Sequence, residues 1–247
     1  MSKELTKKPT SEVALANEYH KLMPVNDHLD PSDIILPKIL VMQGLSKLVA
    51  DGKAVLGEIR ESLDGKLLAE REKPLEFIPF HYYKTWICFL EEKGKLQYKK
   101  QVPFTAENAN WEWEGTTKEG VKFRNDATLN FYCLLPDEIK SGMFLPYLLS
   151  FRRTSYKAGK TLVTQKEKLK MFKRPLASMT FNLVGQKTEN DLGKFYKFEI
   201  TPGRNTTKEE LEAVMPWFDM AQSTVLKVDE SDLAEEATTD AQPDFDC

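Results

Sequence analysis

Histidine and cysteine are scarce, three of each among 247 residues. His20, His28 and His81 form no HxxxH pair, and Cys88, Cys133 and Cys247 form no CxxC pair, so the residue types that hold zinc are not spaced to do so. An odd number of thiols, two of them inside apolar runs where a free cysteine acts as a small hydrophobe, fits a reducing cytosol better than a disulfide framework. Long apolar runs are missing as well. None approaches the about 18 residues of a spanning helix, and the lysines of MSKELTKKPTSEVALANEY precede no apolar segment of the kind a signal peptide needs. A cytoplasmic protein with no membrane partner is expected. The motifs GxxxxGKS/T, GxGxxG and GxSxG are all absent, which removes the common phosphate cradles and the nucleophile elbow. Glu112 and Glu114 in WEWEG would share one face of a strand, as a metal-dependent nuclease requires, but solvated loop acids are far commoner than catalytic ones. The chain therefore reads as a non-enzyme with no cofactor and no metal.

What the chain does have is charge, unevenly placed. The formal net charge is -3, yet the closing stretch DESDLAEEATTDAQPDFDC, residues 229–247, holds eight of the 38 acidic residues and none of the 35 basic ones. Residues 1–228 are left with 30 acids, a net charge of about +5. A basic body with an acidic appendage is a pattern of polyanion-binding proteins. The basic charge is itself concentrated in SFRRTSYKAGKTLVTQKEKLKMFKR, residues 150–174, with nine cations against Glu167 alone.

A content of 41% hydrophobic and 11% aromatic residues suffices for one sizeable core. One domain, residues 33–226, is expected between a polar N-terminal arm, 1–32, and a disordered acidic tail, 227–247. DIILPKILVMQGLS, broken by Pro37, predicts an extended edge segment. LEFIPFHYYKTWICFL, 75–90, predicts a long strand, with KLQYKKQVPF as its hairpin partner across EEKGK. TLNFYCLLP predicts a strand buried on both faces, and MFLPYLLSFRR a further extended segment. After Thr154 the spacing of Ala158, Leu162, Leu169 and Phe172 predicts a helix with a buried apolar stripe and Ser155 as its cap, weakened by Gly159. SMTFNLV and KFYKFEI predict two more strands. A last helix opens on Thr207 and Glu210, a capping-box pair, with Leu211, Val214, Met215 and Phe218 on one face and Pro216 ending or restarting it. Strands, a helix, then two strands point to a mainly β fold with α additions, an OB-like five-stranded Greek-key barrel with extra strands and helices.

Phosphates need clustered cations, and bases need aromatic faces. Arg152, Arg153, Lys157, Lys160, Lys166, Lys168, Lys170, Lys173 and Arg174 are the expected phosphate contacts. Tyr82, Trp86, Trp111, Trp113 and Tyr156 are the expected stacking residues. Strand alternation sets Tyr82, Lys84 and Trp86 on one face and Tyr83, Thr85 and Ile87 on the other, and which face is outward stays open. Trp111 and Trp113, flanked by Asn, Glu and Gly, read either as an exposed platform or as the buried anchors of a hairpin tip.

With these residues in view, the basic, aromatic-rich, OB-type body and the tail ending in DAQPDFDC resemble the bacteriophage-type single-stranded DNA-binding proteins. The resemblance implies sequence-independent binding of single-stranded DNA in replication, recombination or repair within a host cytoplasm. It also implies that the tail, through Asp244, Phe245 and Asp246, recruits replication or recombination proteins and competes with DNA for the groove. Here Asp246 and Cys247 follow the phenylalanine, a departure from the family's terminal aromatic. A tethered tail of eight negative charges has a high local concentration at a basic groove, which is a physical basis for such competition. A strand-annealing recombination protein, and a phage structural or host-interaction protein without nucleic-acid binding, are the alternatives. RNA in place of DNA, and homo-oligomerisation, stay open.

Overall fold

A computed structural model describes residues 35–44, 46–142, 144–190 and 193–223. The N-terminal arm and the acidic tail, with Asp244, Phe245 and Asp246, lie outside the described residues. A small antiparallel sheet comes first, in the order β1 (Ile39–Val41), β2 (Ile59–Glu61), β3 (Leu67–Ala69), with the short helix α1 (Lys47–Ala50) after β1. Pro37 sits beside β1, where its carbonyl accepts from Leu148 N at 2.8 Å, so the proline's missing donor costs no ladder bond.

The main sheet has seven strands: β4 (Leu75–Glu92), β5 (Lys95–Pro103), β6 (Glu114–Thr116), β7 (Lys122–Leu134), β8 (Tyr147–Phe151), β9 (Met179–Asn190) and β10 (Gly193–Asn205). Its pairings are antiparallel, in the path β10-β9-β4-β7-β6, with β5 added to β4 and β8 to β7. The eighteen residues of β4 let one strand serve two neighbours on the same edge. Leu75, Glu76 and Phe77 pair with β9, whereas Thr85 to Glu92 pair with β5. Between them the register against β7 shifts at Pro79 and His81, a bulge, which is where a proline is tolerated inside a sheet and where the strand bends. The result is a curled antiparallel half-barrel, mainly β with a few helices, consistent with an OB-like fold. Gln43 ties the small sheet to β10, donating from Nε2 to Tyr196 O at 2.6 Å and accepting from Tyr196 N at 3.0 Å.

The two faces of the sheet carry separate cores. Phe77, Leu129, Phe131, Phe151, Phe181 and Leu183 line one face, and α3 (Tyr156–Met171), which follows α2 (Pro136–Ser141), packs there through Leu162 and Leu169. Gly159 is the residue of closest approach: a Cβ there would stand 2.7 Å from Phe151 Cβ and 2.9 Å from Leu129 Cδ1. The glycine that weakens the helix in isolation lets it seat on the sheet. On the other face Ile78, Phe80, Tyr132 and Leu134 meet Val214 and Ala221 of α4 (Lys208–Ser223).

Four local expectations are corrected. Pro216 neither ends nor restarts α4, which runs through it, the packing of Val214, Trp217, Phe218 and Ala221 outweighing the lost hydrogen bond. Met215 is exposed and does not share the buried face. The Ser155 hydroxyl does not cap α3; it accepts from Phe198 N at 3.2 Å, tying the helix start to β10. Phe172, expected in the buried stripe, lies one residue past the end of α3 and is 76% exposed. Among the described residues no helix is long and apolar enough to cross a membrane.

Candidate functional site

Trp86 anchors the site. It is 2% exposed, and its indole nitrogen donates to Asn108 O at 3.1 Å. Asn108 holds the following loop in place, accepting from Thr105 N at 2.8 Å through Oδ1 and donating to Pro103 O at 2.8 Å through Nδ2. The loop then returns across Trp86: Phe104 stacks on it at 5.6 Å between centroids, with Trp111 at 6.3 Å and Trp113 edge-on at 6.1 Å. Asn125 fixes the end of this excursion, its amides donating to Trp113 O at 2.6 Å and Glu112 O at 2.9 Å. Tyr156, the first residue of α3, closes the cluster against Trp113 at 5.9 Å.

Trp111 and Trp113 stay 38% and 50% exposed, so both readings of the pair hold in part: they cover a buried tryptophan and still present ring surface to solvent. Trp86 itself is a correction. A ring so enclosed offers no face to a base, and its role is to support the ledge. Tyr82 and Tyr156 are half-buried, and burial pushes both phenols up, so they remain neutral hydrogen-bonding rings.

Cations line the same ledge. Lys84, between Tyr82 and Trp86 on their face of β4, places its ammonium 3.4 Å from the Phe104 ring centroid and 5.9 Å from that of Trp86. Lys160 lies 5.2 Å from the Tyr156 ring, and Lys166 lies 5.6 Å from that of Tyr82 while pairing with Glu167 at 2.8 Å. Burial first, and then the charge of Lys160, pull the Lys84 ammonium below the ordinary lysine value. Two ammonium groups that repel one another above aromatic rings make a place suited to an anion. Sequence reasoning missed Lys84 and Phe104 as site residues. The signal was there for Lys84, which alternates with Tyr82 and Trp86.

The remaining cations of residues 150–174 divide. Lys157, Lys168, Lys170, Lys173 and Arg153 are exposed. Arg152 is not a surface cation: it lies 3.9 Å from Asp126, a 2% exposed carboxylate that Arg124 approaches at 3.4 Å from the other side. Arg174 is engaged in the fold, donating to Ser178 Oγ, Ser178 O and Asn205 Oδ1 at 3.2, 3.0 and 2.7 Å. Arg152 is thereby corrected from a phosphate contact to a partner of Asp126, whereas Arg174, held by these three bonds, remains exposed.

A family model described as Pam3 phage gp34-like protein matches residues 12–234. The chain belongs to this phage family. The match takes in the whole half-barrel of this gp34-like chain, the ledge and both long helices. No curated protein and no solved structure matches it.

Proposed function

We propose that this phage protein binds single-stranded DNA without regard to sequence, in phage DNA replication, recombination or repair, and takes no catalytic step. The observation that carries the reading is the convergence of Trp111, Trp113 and Tyr156 with Lys84 and Lys160 from three separate segments of the chain onto one ledge. Exposed rings stack bases of any identity, cations beside them neutralise phosphates, and no base-reading hydrogen-bond pattern is needed. Contacts with the buried Trp86 hold Trp111 and Trp113 in place, and Tyr156 packs on Trp113, so less side-chain freedom is lost on binding. In this reading the acidic segment 229–247 competes with the strand for the same cations and is the point of contact for replication or recombination proteins.

The test is fluorescence anisotropy of labelled oligo-dT at several salt concentrations, with a duplex of equal length as control, on the full chain and on a chain lacking residues 229–247. The strand should bind more tightly than the duplex, with a log-log salt slope of about -0.7 per phosphate neutralised. Removing the tail should tighten binding at low salt. Binding to neither nucleic acid would sink the proposal and favour a role in contacts with other proteins.

A further inference from the structure

The turn that ends α3 is held firmly, and its tip is bare. Phe172 N and Arg174 N donate to Leu169 O at 2.9 and 3.0 Å, Lys173 N donates to Lys170 O at 2.9 Å, and the three Arg174 contacts pin the far side of the turn. Yet Met171 is 83% and Phe172 76% exposed. A single exposed apolar side chain is ordinary; two neighbours presented by a fixed backbone form a contact surface. Lys168, Lys170 and Lys173, all exposed, surround it.

Helical spacing links this tip to the ledge. Lys157, Lys160, Thr164, Lys168 and Met171, at i, i+3, i+7, i+11 and i+14, form one exposed stripe with three cations and no acid. Glu167 lies beside the stripe and is engaged by Lys166 at 2.8 Å. From Tyr156 to Met171 the helix rises about 22 Å.

We infer that the stripe is a phosphate track and that Phe172, with Met171 beside it, is a stacking contact for a base at the far end of a bound single strand. The inference rests on the ledge reading and extends it by a second contact. A second copy of the chain fits the tip less well, because two tips meeting would bring their lysines together, whereas a polyanion complements them.

The experiment compares oligo-dT of about 4 and about 16 nucleotides, the ends of the usual range of site sizes, bound to wild type, Phe172→Ala and Trp113→Ala. Phe172→Ala should lose about fivefold or more on the longer strand and nothing on the shorter, while Trp113→Ala loses on both. Longer-strand binding equal to wild type in Phe172→Ala, with Trp113→Ala weakened, overturns the inference and leaves the ledge reading standing. No binding of either strand by wild type overturns both. Self-association by sedimentation that Phe172→Ala abolishes, with strand binding intact, assigns the tip to a second copy and overturns the inference.

Discussion

Helices α3 and α4 are each sixteen residues long and pack on opposite faces of one sheet, but only α4 has a first turn that is capped and acidic. Its first turn carries Glu209 and Glu210 at the positive end of the helix dipole, and Thr207 and Glu210 form a reciprocal capping box, at 2.8 and 3.3 Å. α3 has no acid in its first turn, has Lys157 there instead, and its Ser155 hydroxyl is spent on β10. Positive charge at the start of a helix is unfavourable. A helix start that breaks local rules while the start of its neighbour keeps them is where selection for something other than stability is expected. Lys157 is that departure, whereas Lys168 and Lys170 lie in the last turn, where the dipole favours cations.

The largest test of this contrast falls on the helix whose first turn is capped. Glu210 is buried, receives Arg204 Nη2 at 2.6 Å and Arg204 Nη1 at 2.9 Å, and caps Thr207 N. Glu210→Ala should cost about 1–3 kcal/mol in urea denaturation, chiefly through the lost cap and hydrogen bonds, and leave strand affinity of the folded protein unchanged. The hydrogen bond from Arg204 leads the causes that hold the Glu210 carboxyl below its ordinary value. Because the folded-state value is depressed, the stability it contributes is present above the ordinary glutamate value and is lost as pH falls through the lowered one. Glu210→Gln should flatten that acid limb. A Glu210→Ala cost below about 0.5 kcal/mol would show that the clasp is idle and that α4 is held by packing alone.

The same contrast explains what could be read from the chain alone. The long strand over 75–90, its hairpin partner, the two closing strands and the capping box at Thr207 were legible because alternation and capping are local signals. Three features were not. Pro216 was misjudged because the packing of Trp217 and Phe218 is tertiary, and Phe172 because a periodicity of apolar residues does not show where the helix stops. The third was the sorting of the nine cations. Arg152 looks like its neighbours in sequence, and only the approach of Asp126 from a distant strand separates it from the exposed cations. The aromatic ledge was half legible: its exposed rings were named, and the burial of Trp86 beneath them was not.

A charge reversal in the first turn of α3 sharpens the comparison further. Lys157→Glu puts an acid in the first turn of α3 and should raise stability by about 0.3–1 kcal/mol, read as a higher denaturation midpoint. It should also weaken single-strand binding and reduce the log-log salt slope by about 0.7 or more. Gains in both stability and affinity would mean that Lys157 lies off the strand path.

The smallest effect concerns Lys84, a partly buried cation of the ledge. Its ammonium sits over the Phe104 ring, and its affinity for a proton is lowered by burial and by Lys160. A phosphate placed between the two lysines would offset their repulsion and restore the proton, so binding should take up protons as pH approaches the ordinary lysine value of 10.5. Affinity should therefore fall as pH rises through the window between the lowered value and 10.5. The fold responds with the opposite sign: the unfolded lysine keeps its proton through that window and the folded one does not, so stability from this group rises with pH there. Lys84→Arg, charged throughout, should lose less strand affinity than wild type across the same range. Parallel losses in wild type and Lys84→Arg would mean that the alkaline change arises elsewhere, and that Lys84 serves the aromatic rings and not the strand.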